Sequence, residues 1–314
     1  MKYSLMGLLG LCLTANAWSA ESDSSVAAAH DGVCRGIYTK SLRSLDHKYE
    51  TGPFRIHYAV QGEHALASLT DANSNGTPDM IDDVAVQLTV ANKLYSDVIG
   101  LRQPLDQPRY ADAEYMNIYI LALKKANGLS FDEVVGERAR KENRECGLRI
   151  YIDNDVKASR NLTAAHELFH LYQYGYAMFK SSWYLEGMAR WTESFFRKQK
   201  PTKSKTFASC KDSYKKGYAA STFWQQNSRV NHSDTRPIPE KLRALTYLDG
   251  SAVIDAEELT GGNFLLAAMQ ALESASLAAG KEQKLPTYGW PEKVQQSSQF
   301  DDLICSTIQS VTGH

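Results

Sequence analysis

The chain has 314 residues, 43% of them hydrophobic and 23% charged, with a formal net charge of −1. That composition suits an ordinary folded protein with enough chain to bury a substantial core. A near-neutral balance supplies no global field toward nucleic acid or an anionic membrane, so neither is expected as a partner.

The first twenty residues place Lys2 before an apolar run from Leu5 to Leu13 and small residues at Ala15 and Ala17. This is the layout of a secretory signal peptide, with cleavage near Ala17 to Ala20 and a secreted or periplasmic destination. Bulky Leu11 before Cys12 does not suit a lipoprotein anchor. No later stretch approaches the run of about 18 apolar residues that a membrane helix needs. Once Cys12 is removed, Cys34, Cys146, Cys210 and Cys305 remain, an even number in an exported chain. We expect two disulfides; the spacings leave the three possible pairings open.

Residues 21–33 are small and polar and begin a lead-in, read as flexible, over 21–47. A folded domain is expected over 48–314. Strands are expected at 54–60, 116–123 and 148–153, where β-branched and aromatic residues gather. Helical periodicity marks 80–100, 162–174, roughly 184–197 and 263–280. For the helix at 162–174, Gly175 reads as the stop. For the last helix, Asn263 reads as the cap and Gly280 as the stop. Strands mainly in the first half and helices mainly in the second argue for an α+β fold. The basic stretch 197–217 reads as a solvated loop tied down through Cys210, with a guide for acidic substrates or an anionic surface as the sharper reading.

Residues 164–173, "AAHELFHLYQ", carry the chemistry. Histidines four apart lie on one side of a helix, about one turn from each other, so His166 and His170 can reach a single metal. Glu167 is turned by about 100° from them, poorly placed to be a ligand but able to hold a water beside the metal. Zinc lowers the pKa of water and polarises a carbonyl, while a glutamate can take the proton and pass it to a leaving amine.

Catalytic zinc usually has three protein ligands. Gln173 and Tyr176 stand where a longer three-histidine signature needs Gly and His. No Asp, Glu, His or Cys occurs between Leu171 and Leu185, so Glu186 is the next available ligand. Glu193 shares its helical face and is held in reserve, or as a partner for a histidine ring. The small residues Gly187 and Ala189 are expected to let this second helix approach the first. Tyr172, Tyr174, Tyr176 and Tyr184 crowd the motif and receive no role.

A second motif, "DANSNGTPDMID" over 71–82, places Asp71, Asn73, Asn75, Asp79 and Asp82 at positions 1, 3, 5, 9 and 12 of a calcium loop, with Gly76 at the turn and the Thr77 carbonyl available. A polar turn capping the following helix is the simpler alternative.

"HELFH" followed by "WYLEGMARWTE" resembles the gluzincin class of zinc metallopeptidases, in which a second helix carries a glutamate ligand in an E-G-x-A setting. With the upstream D-x-N-x-N-G-x-P-D loop, the chain is most similar to a loosely described set of secreted bacterial metalloproteases, over about residues 68–195. The resemblance implies peptidase activity on a protein or peptide substrate, with His166, His170 and Glu186 as zinc ligands and Glu167 as base. It also implies a zincin-like architecture: a mixed-sheet lobe over about 48–178 holding the active-site helix, followed by a mainly helical lobe over 179–314. A strand edge would bind substrate, and "LRIYID" is the candidate. A noncatalytic calcium-stabilised binding or adhesion module and a zinc hydrolase of non-peptide bonds are the alternatives.

Overall fold

The computed structural model describes residues 34–36, 39–136, 145–198, 206–230 and 235–313. The expected signal peptide and the lead-in up to residue 33 lie outside these, as do residues 199–205 of the basic stretch. Described structure begins inside the span read as a lead-in, with β1 (Arg35–Gly36), α1 (Lys40–Arg43) and β2 (His47–Thr51). There follow β3 (Phe54–Tyr58), α2 (Asp79–Lys93), β4 (Tyr115–Leu121), β5 (Gly128–Gly136) and β6 (Cys146–Asp153). The second half adds α3 (Thr163–Tyr176), α4 (Ser182–Thr192), α5 (Ser221–Asn227), β7 (Thr235–Pro237), α6 (Glu240–Arg243), β8 (Glu258–Thr260), α7 (Gly262–Glu282), α8 (Glu292–Gln295) and α9 (Asp301–Thr312). The fold is thus α+β: a mixed sheet in the first half and a mainly helical second half.

The sheet runs β1-β5-β6-β4-β3-β2. Strands β3, β4 and β6 are parallel, while β2 and β5 run antiparallel to their neighbours β3 and β6. Alternation along the strands sorts the side chains. Ile56, Met116, Ile118, Ile120, Leu148, Ile150 and Ile152 join the large core shared with α2 and α3. The opposite face carries a smaller cluster of Leu45, Ala59, Tyr119 and Leu121.

This order corrects one expectation. "LRIYID" lies in β6, an interior strand between β4 and β5. The strand outside it is β5, whose mixed sequence GLSFDEVVG shows little apolar alternation because only its last two residues are buried. A register shift between Phe131 and Val135 also breaks the pattern. Along its outer edge, β5 pairs among the described strands with β1 alone, at Val135 and Gly136.

Helix α3 was expected to bury one face, yet all of its residues are buried. It is enclosed by β5, β6, α2, α4 and α7. Its N-terminus has no side-chain cap at Leu162; Asn161 Oδ1 accepts from the Thr163 N–H at 2.7 Å and Gln87 Oε1 from the Ala165 N–H at 3.2 Å. Gln87 also donates to the carbonyls of Ala158 and Asn161, so one buried amide fixes where α3 starts.

Two glycines read as helix stops lie inside helices. A Cβ on Gly175 would come within 2.5 Å of Gln107 Cγ, and one on Gly280 within 3.0 Å of Trp290. Both admit a neighbour. Helix α7 begins after Gly261, which takes the N-cap position in a left-handed backbone (φ 90°) open to glycine, and Asn263 lies inside the helix.

The two expected disulfides form as Cys34–Cys146 and Cys210–Cys305. The first holds β1 against the end of the sheet and the second ties the stretch before α5 to α9. Two disulfides are consistent with an extracellular protein. No helix among the described residues is long and apolar enough to cross a membrane.

Candidate metal centre and cleft

The turn from α3 to α4 is only Ala177–Ser181, so α4 returns at once beside the histidines. Gln173 secures this return, its amide donating to the carbonyls of Tyr184 (3.4 Å) and Leu185 (3.2 Å) just before Glu186. Glu186 Oε2 then lies 3.3 Å from His166 Nε2 and 3.7 Å from His170 Nε2. The ligand atoms of His166, His170 and Glu186 all fall within 4.8 Å of one another, the single such set of His, Cys, Asp or Glu among the described residues.

These spacings fit a metal. Bonds of about 2.1 Å in tetrahedral geometry separate ligand atoms by about 3.4 Å. The far ring nitrogens are already engaged: His166 Nδ1 with Glu193 Oε1 at 2.9 Å and His170 Nδ1 with Gln173 Oε1 at 2.8 Å. Both Nε2 atoms are thereby turned to Glu186. The set could hold a metal ion with no change of chain path.

Electrostatics follow from burial and proximity. Burial disfavours a charged His166 ring, but hydrogen bonds to Glu186 and Glu193 and the charge of Glu167 outweigh it, lifting the ring to about 9. Burial likewise opposes ionisation of Glu186, yet its bonds to His166 and His170 win and hold it far below the usual carboxylate range. Glu167 goes the other way: burial raises it against the pull of His170 and His166.

Glu167 lies at the foot of a cleft of about 1020 Å³, beside His166 and Tyr218. The Ser130 hydroxyl on β5 is 2.6 Å from Glu167 Oε2 and 2.7 Å from its carbonyl oxygen. Gly128 makes this contact possible, since a Cβ there would meet Glu167 Cγ at 2.5 Å and Thr163 Cγ2 at 2.7 Å. Gly187, in contrast, does not serve the approach of α4 to α3; its bare side faces Ala220 and the Trp224 ring.

The sequence reading missed Ser130 and Tyr218. Tyr218 is exposed, its ring centred 5.7 Å from that of His166 and its phenol near enough to Glu186 to feel that carboxylate's charge. Burial, followed by the Glu186 charge, pushes its ionisation upward, so it keeps its proton. The four tyrosines near the motif belong to the core. Tyr172 donates to Asn92 Oδ1, the Tyr176 hydroxyl accepts from the Arg102 N–H, Tyr174 stacks on His170, and Tyr184 is fully buried.

The 71–82 loop folds on itself. Asp71 accepts from the N–H groups of Asn75 and Gly76, Asn73 Oδ1 from Asn75, Asn75 Oδ1 from Thr77, and Asp79 from Ala72. Asp82 Oδ2 accepts from the side-chain amides of Asn73 and Asn75. Ser74 and Gly76 take positive φ. These bonds also suit a self-contained polar turn.

Comparison of this chain with protein-family models, with curated proteins and with solved structures returns no match.

Proposed function

We propose that the protein is a secreted zinc metallopeptidase of gluzincin type with a zincin-like fold. The observation that carries this reading is the convergence of His166, His170 and Glu186, with Glu167 beside them and β5 alongside. A zinc ion held by these three side chains would supply Lewis acidity toward a peptide carbonyl and toward water.

The chain's own groups supply the rest. Glu167, raised by burial and oriented by Ser130, takes a proton from water and delivers it to the departing amine. Tyr218, protonated and with its ring beside that of His166, donates to the oxyanion that forms at the attacked carbonyl. The edge of β5 before Val135 offers backbone groups to an extended peptide, which favours a peptide over other hydrolysable substrates.

Metal analysis and a single variant test the reading. The purified protein is expected to hold about one zinc per chain and to cleave a casein-type substrate, and Glu167→Gln to abolish cleavage with the metal retained. Absence of metal removes the site; undiminished cleavage by Glu167→Gln removes its role as base.

For the 71–82 loop the same reading includes a structural calcium ion on Asp71, Asn73, Asn75, Thr77, Asp79 and Asp82. The order of oxygen-bearing side chains along the loop and the positive φ of Gly76 at its turn position support it. Calcium is expected to raise the melting temperature of the wild type and not of Asp71→Ala.

A further inference from the structure

The cleft beside Glu167 is lined by five cationic side chains, Lys124, Lys125, Arg160, Arg190 and Arg197, and by four carboxylates. Their commitments differ. Glu167 is engaged by Ser130, and Glu193 by His166 and Arg190. Asp153 accepts from the N–H groups of Leu123 and Asp155. Asp155 stands beside it, and burial raises the Asp153 carboxyl above its ordinary value. Among the cations, Arg190 alone has a carboxylate partner among the ion pairs of the described residues. Arg197 is half-buried and pinned by the carbonyls of Phe196 and Val253, which fixes its position and leaves its charge unbalanced. Lys124 and Lys125 stand on the turn from β4 to β5, and Arg160 stands just before α3, across the same cleft.

Four cations without a carboxylate ion-pair partner, Lys124, Lys125, Arg160 and Arg197, thus line one concave polar surface. Such a cleft focuses field and raises the local concentration of oppositely charged ligand. We propose that it selects acidic peptides, with Asp or Glu side chains flanking the scissile bond held by Lys124, Lys125, Arg160 and Arg197. This rests on the peptidase reading and goes beyond it by naming the substrate class.

The test separates binding from turnover. In zinc-loaded Glu167→Gln protein, fluorescence anisotropy compares a labelled peptide carrying glutamates on both flanks with its glutamine counterpart. We expect the glutamate peptide to bind about tenfold or more tightly at low salt, and the difference to shrink as salt is added. In Lys124→Gln/Lys125→Gln/Arg160→Gln the preference should fall to near one; charge reversal to Glu at the same exposed positions should invert it. Equal affinities, no binding of either peptide, or a preference that survives neutralisation overturns the proposal. Wild-type turnover of the glutamine peptide tests the peptidase reading separately, so a peptide that binds with discrimination and is never cut would remove that reading and leave the acidic preference standing.

Discussion

Glu193 Oε1 lies 2.9 Å from Nδ1 of His166, so that the other ring nitrogen is the one presented to Glu186. The His166 ring is held in this way by a carboxylate that directly follows α4, the helix that carries Glu186. Removing such an outer partner usually costs about 10–100-fold in metal affinity. Glu193→Ala is therefore expected to weaken zinc binding by about that factor in a chelator competition, with the fold intact. The pH dependence checks the cause. Because the metal-free His166 is lifted to about 9, protons compete with metal below that value, and affinity should fall about tenfold per pH unit on acidification. In Glu193→Ala one of the bonds that lifts the ring is gone, so the fall should begin at lower pH.

Tyr218, on the segment before α5, places its ring 5.7 Å from that of His166. A donor aimed at a developing oxyanion is worth roughly a hundredfold or more in kcat. Tyr218→Phe keeps the ring beside His166 and removes the donor, so kcat is expected to fall by about that factor with KM and zinc content little changed. Unchanged steady-state kinetics would assign the tyrosine to packing.

Gly128 and Glu167 approach so closely that no Cβ fits between them. Displacing a reacting group by about 1 Å can cost about a hundredfold. Gly128→Ala is expected to lower kcat by roughly this much while zinc stays bound, since none of the three ligands moves. Zinc analysis beside kinetics on the same preparation checks it; loss of both would point to wider disruption.

What the sequence revealed and what it hid divide along the range of the forces involved. His166, Glu167 and His170 were legible because helix geometry alone sets their relation. Glu186 was legible because a short link without competing ligands leaves little choice. Ser130 and Tyr218 come from β5 and from the segment before α5, and no local pattern announces a residue that acts only through tertiary contact. Strand β5 escaped notice because it is half-exposed and bulged, which erases the alternation that reveals interior strands, and the edge was assigned one strand inward as a result. Gly175 and Gly280 misled for a related reason. A glycine that admits a neighbour and one that ends a helix look the same in sequence, and only packing against Gln107 and Trp290 distinguishes them.

Beneath the site, Asp132 on β5 joins Arg109 and Lys180, with Lys180 Nζ 3.0 Å from Asp132 Oδ1 and all three side chains largely shielded from water. Arg109 also donates to the Tyr174 carbonyl at 2.5 Å, which ties this group to the end of α3. Burial alone would raise the Asp132 carboxyl, but Arg109 and Lys180 reverse it and leave it below its ordinary value. A carboxylate depressed in the folded state stabilises above its unfolded pKa of about 3.9 and loses that contribution as pH falls through the folded value. Asp132→Asn leaves the buried Arg109 without its counter-charge and Lys180 with Glu292 alone, and removing one partner of such a buried group costs about 3–5 kcal/mol. Urea unfolding of wild type and variant should differ by about that amount near neutral pH. The gap should narrow below about pH 4, because the wild type gives up the same interaction by protonation. A gap that stays constant into acid would mean that the asparagine harms packing, and that the ion group contributes little to holding β5 against α3.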